Sequence, residues 1–221
     1  DAFADFTHLN CVDFNDELNQ IIFSSRSLNE VFIIDHSTTT EEAKGHIGGI
    51  YSKGGDFLYR WGNPINYDRG DILDQKLHAP HGVNWIKSGL PGSGNILLFD
   101  SEHNDSLSAI IEFQPPLLDS GLYMLDTIEP FGPNEYIWIN QSDFYSNTHS
   151  GAFRMPNGNT FVTSFGVPPS FLVCSRHRFR YWLRRHNAVP EMRSSLGTAY
   201  WLLRLWAFSL MSALRLRLTS L

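Results

Sequence analysis

The stretch Asp5-Phe6-Thr7-His8-Leu9-Asn10-Cys11-Val12-Asp13-Phe14, with the turn Asn15-Asp16-Glu17-Leu18-Asn19 and the return Gln20-Ile21-Ile22-Phe23-Ser24-Ser25-Arg26, decides the fold. Two short runs rich in β-formers flank a cluster of turn residues, which predicts an antiparallel hairpin. Ser27-Leu28-Asn29-Glu30 then turns the chain into Val31-Phe32-Ile33-Ile34-Asp35, a third strand, so that the unit is a meander. In a period-2 strand His8 and Asn10 share a face, and Arg26 returns beside them on the neighbouring strand. An imidazole, a carboxamide and a guanidinium gathered in this way suit a tetrahedral oxyanion such as sulfate or phosphate. Arg offers a planar fork of donors, Asn adds an amide N–H, and His donates, accepts or attacks. A strand-borne His also serves as an ordinary structural residue, and spacing alone does not separate the two roles.

Working outward, the polar segment His36 to Lys53 holds one helical turn after Ser37-Thr38-Thr39-Thr40, and Gly54 to Pro64 supplies a fourth strand stopped by Gly62-Asn63-Pro64. Gly54-Gly55 lacks the spacing of a phosphate-binding loop, and His36 and His46 lack acidic or Cys partners at metal-ligand spacing. No metal and no cofactor is expected.

A second unit opens at His78-Ala79-Pro80-His81-Gly82-Val83-Asn84-Trp85-Ile86 and continues through Asn95–Asp100, Ser108–Phe113 and Tyr136–Ile139. A third opens at His149-Ser150-Gly151-Ala152-Phe153-Arg154 and returns after Pro156-Asn157-Gly158 as Asn159–Ser164. The units recur every roughly 65 to 75 residues, and repeated four-stranded antiparallel units are the mark of a β-propeller. The expected fold class is all-β, an incomplete propeller of about three blades from a larger ring. In that architecture His8, His81 and the 149–154 stretch converge on a central channel.

Composition agrees: aromatic residues make up 14% and charged residues only 18% of the 221, with frequent Gly, Pro, Asn and Ser. The net charge of -6 gives no nucleic-acid footprint. It conceals a break, because residues 170–221 hold nine Arg, no Lys and one acid, Glu191, a net of +8, so that residues 1–169 hold -14. The expected domains are therefore 1–169, the partial propeller, and 170–221, an atypical Arg-rich tail. The tail reads either as a basic amphipathic helix over about Leu196 to Leu218 or as a sequence out of frame, and its Lys-free composition favours the second over membrane contact. Asp1 suggests the middle of a longer protein, and Cys11 and Cys174 form no metal cluster, with their disulfide state open.

The stretches Asp5–Asp13, Ser24-Ser25-Arg26, Val31–Thr39, Tyr59–Pro64, His81–Ile86 and Arg154–Thr160 together resemble the bacterial arylsulfotransferase (aryl-sulfate sulfotransferase) family in order and spacing. The resemblance covers residues 5 to about 165. It implies a propeller that moves a sulfuryl group from a phenolic sulfate ester to a phenol through a sulfated histidine, without a nucleotide sulfate donor, in the periplasm or outside the cell. On this resemblance His81 is the nucleophile, His8 and Arg26 are catalytic, and Asn10 and, more loosely, Ser150 bind the sulfate. Phe6, Trp85 and Phe153 are candidate walls for an aromatic substrate. A non-catalytic propeller acting as a binding or interaction module is the alternative, and hydrolysis with water as acceptor is a third.

Overall fold

A computed structural model describes residues 5–104, 107–141 and 144–165, together with the backbone of two later strands. Three consecutive four-stranded antiparallel sheets make up the described chain. The first contains β1 (Leu9–Asn15), β2 (Gln20–Ser25), β3 (Glu30–Asp35) and β4 (Phe57–Trp61), in sequence order. The second contains β5 (Pro80–Trp85), β6 (Ile96–Asn104), β7 (Leu107–Phe113) and β8 (Trp138–Gln141). The third contains β9 (Gly151–Arg154), β10 (Thr160–Thr163), β11 (Ser170–Val173) and β12 (Arg180–Trp182). Among the described residues the fold is thus all-β as expected, with only short 3-10 turns between strands.

Local chemistry fixes the turns. Asn19 and Asn29 adopt the left-handed backbone that asparagine tolerates, at φ 50° and 58°. The Asn15 side chain accepts from the Leu18 N–H at 3.0 Å, tightening the first hairpin. The helical turn expected near Ser37–Ala43 is a 3-10 turn at Glu42–Lys44, with Thr39 and Glu42 bonding each other's backbone. The last strand of the second sheet begins at Trp138 rather than Tyr136, whose hydroxyl donates to the Lys76 carbonyl at 3.0 Å.

The hydrophobic core has two parts. Ile22, Val31, Ile33, Tyr59 and Trp61 of the first sheet pack against Val83, Trp85, Ile96, Leu98, Ile111 and Phe113 of the second. Trp61 stacks on Phe113 with ring centroids 3.9 Å apart. The opposite face of the second sheet, Leu97, Phe99 and Ile110, meets Ala152 and Val162 of the third. Alternate residues of β6 therefore point into different cores, which is why that strand reads as a continuous apolar run.

One compact unit runs from Asp1 to Arg184, past residue 169, since β11 and β12 complete the third sheet. The helix or frame slip expected in the tail falls on residues that lie outside the described ones.

Candidate functional site

The first strands of the three sheets are neighbours, and side chains of one stitch it to the next. Asn10 on β1 donates its amide to the Pro80 carbonyl on β5 at 2.8 Å, and the Cys11 thiol donates to the Val83 carbonyl at 3.3 Å. Asn84 on β5 in turn donates to the Ala152 carbonyl on β9 at 2.9 Å. Gly82, at φ 61°, is where β5 comes closest to β9, and a side chain there would begin only 2.6 Å from the Gly151 Cα. Each first strand is entered through a left-handed residue: His8 at φ 42°, Ala79 at 59° and His149 at 51°. Such a conformation costs an L-residue about 1–2 kcal/mol, and its repetition marks a junction that the packing holds in place.

These junctions bring three histidines and an arginine together. The His8 and His81 rings meet edge to face with centroids 6.5 Å apart. Arg26, just beyond β2, continues the ladder by donating its N–H to the His8 carbonyl at 3.1 Å. His81 is the most enclosed of the set, only 4% exposed. Its Nδ1 lies 2.9 Å from the Ala79 carbonyl and 2.9 Å from the Ser101 hydroxyl. A carbonyl oxygen only accepts, so Nδ1 carries the proton and Nε2 holds the lone pair of the neutral ring. Burial lowers the His81 pKa from 6.5, and the charges of Arg26, His8 and His149 push the same way against the carbonyl contact. The result is a neutral imidazole, pinned at one nitrogen, inside an electropositive group of side chains.

The remaining nominated residues have more structural placements. His8 stands outside β1, paired with Asp5, and not on a shared strand face with Asn10. Asn10 is spent on both ends, since Ser24 donates to its carbonyl oxygen at 2.7 Å while its amide holds Pro80. Arg26 pairs through Nη2 with Glu102 at 2.9 Å. Ser150 is buried and its hydroxyl lies 2.9 Å from Ser146 Oγ and 3.0 Å from the Thr148 carbonyl. Trp85 belongs to the core, whereas Phe6 and Phe153 are exposed. His36 and His46 pair separately, with Asn19 and Asp56. Cys11 is a free thiol, its pKa raised chiefly by burial, and Cys174 lies outside the described residues.

Sequence reasoning did not nominate Ser101 or Glu102, and it took His149 to the channel only as part of the 149–154 stretch. His149 precedes the third sheet as His8 precedes the first. Among the described residues no helix is long and apolar enough to cross a membrane. No family model matches the chain, and neither the curated proteins nor the solved structures contain a match.

Proposed function

We propose that the three sheets are successive blades of a β-propeller and that the protein transfers a sulfuryl group from a phenolic sulfate ester to a phenol, with His81 as the covalent carrier. The observation that carries this reading is the state of His81: a buried, neutral ring with its Nδ1–H given to Ala79 and its Nε2 lone pair unprotonated. Nucleophilic catalysis needs that combination, because a protonated ring has no lone pair to give.

In the first half-reaction the Nε2 lone pair attacks sulfur and the sulfur–oxygen bond to the aryl group breaks. The electron pair leaves with the phenolate, which takes a proton from the His8 imidazolium. In the second, the acceptor phenol attacks sulfur while His8 takes up its proton. The nitrogen–sulfur bond breaks, and the lone pair returns to Nε2. Arg26 has donors besides the one held by Glu102, and with His149 it faces the charge on the sulfuryl oxygens. A preorganised donor of this kind is worth about 3 kcal/mol.

The test is incubation of the full chain with p-nitrophenyl sulfate and a phenol acceptor. His81→Ala is expected to lower transfer by at least about a thousandfold with its circular dichroism unchanged. Undiminished transfer in that variant overturns the proposal. A second reading, a binding module without turnover, draws on Asn10, whose carboxamide is already engaged at both ends. It predicts retention of the ester without release of p-nitrophenol.

A further inference from the structure

A second cluster of histidines lies where the second sheet begins, on residues that the sulfuryl-transfer reading leaves unused. One ring nitrogen each from His78 and His103 and one carboxylate oxygen of Asp100 lie within 4.8 Å of one another. We propose that His78, Asp100 and His103 form a binding site for a divalent transition metal, with Zn2+ as the representative ion.

The donor set matches the ion. Two imidazoles and one carboxylate are a common zinc ligand set, with water completing the tetrahedron. Zinc bond lengths of about 2.0–2.1 Å place tetrahedral donors about 3.4 Å apart, so the widest pair must draw together by up to about 1.5 Å, within reach of side-chain rotation. The framework beneath them is tied down. The Glu102 N–H donates to the His78 carbonyl at 2.9 Å, and the Ser101 N–H to the Ala79 carbonyl at 3.2 Å. Asp100 is oriented in advance, since its Oδ1 accepts from the His78 backbone N–H at 2.7 Å while Oδ2 faces His103 at 2.8 Å. Outer hydrogen bonds of this kind fix ligand geometry in metal sites.

Two further observations point to a cation. Asp100 is fully buried, and a carboxylate without access to water gains from a positive partner. Nδ1 of His78 is also buried and has no hydrogen-bond partner among the described residues, an unmet polar atom that a metal bond satisfies. Because Ser101 follows Asp100 and touches His81, the ion braces the strand that holds the His81 ring.

The test uses the full chain, freed of metal by chelation and titrated calorimetrically with Zn2+, with Co2+ absorption reporting geometry. Saturable binding is expected, with a tetrahedral Co2+ spectrum. His78→Ala and His103→Ala should each weaken Zn2+ binding by at least about tenfold. His46→Ala, on an exposed ring paired with Asp56, should leave it unchanged. Asp100→Asn keeps an acceptor for the His78 N–H, and should weaken binding while preserving the fold. Absence of saturable binding, or binding indifferent to all three ligand variants, overturns the assignment. Neither result depends on sulfuryl transfer, which is read in a separate assay.

Discussion

The first and second sheets share a strand plan but live in different surroundings. The second lies between two others and buries both faces: Ile96 and Leu98 enter one core, Leu97 and Phe99 the other. The first, among the described residues, has one such face. Its other face holds the aromatic set Phe23, Phe32 and Phe57, with the Arg60 guanidinium 5.3 Å from the Phe32 ring and 5.5 Å from the Phe57 ring. Glu30 holds Arg60 through two 2.9 Å hydrogen bonds, so the cation covers the rings as a lid of charge. The two entry histidines follow the same division, His81 enclosed between β1 and β9 and His8 on the rim beside Asp5. Enclosure, and not residue type, separates the buried neutral imidazole of His81 from the half-exposed ring of His8.

That contrast can be broken by mutation. The largest effect is expected from Phe99→Ala, which empties a fully buried site and should cost about 3–5 kcal/mol, against about 1 kcal/mol for Phe57→Ala on the half-open face. Urea denaturation compares them, and equal losses would mean that the two sheets are equally enclosed. Next comes Gly82→Ala, which forces a left-handed alanine into the Gly151 backbone and should cost about 2–4 kcal/mol. A neutral result would show that β5 and β9 are not in close contact. The smallest effect concerns pH. His81 has a lowered pKa, so the unfolded chain binds its proton first as the medium is acidified. The stability due to this ring is therefore full above 6.5, is lost as pH falls below that value, and levels off beneath the folded pKa. His81→Gln should flatten that part of the stability–pH curve, and an unchanged curve would mean that the ring is solvated.

Much of the architecture was legible because strands and turns are local. Alternating apolar residues, the Asn-rich turn before Gln20 and the Pro156-Asn157-Gly158 turn place most strands within a residue or two. The strands at Ser170 and Arg180 were hidden by a composition break that says nothing about backbone pairing. His8 and Arg26 were nominated by the strand pattern and His81 by its place in the second unit, their roles came through the family resemblance, and the structure brings the three together. Ser101 and Glu102 could not be read, because their approach depends on the pairing of Pro80 with Asp100. The His78, Asp100 and His103 cluster was masked by period 2: residues 100 and 103 should face opposite ways, but the register slips between Asp100 and Asn104 and turns them together.

The anchoring of His81 to the Ala79 carbonyl has a kinetic corollary. An imidazole tethered through one nitrogen can work only through the other, so two visitors that both need it must take turns at the same berth. If the proposed transfer holds, the first product must leave before the acceptor is sulfated, and initial-rate plots at several low acceptor concentrations should run parallel.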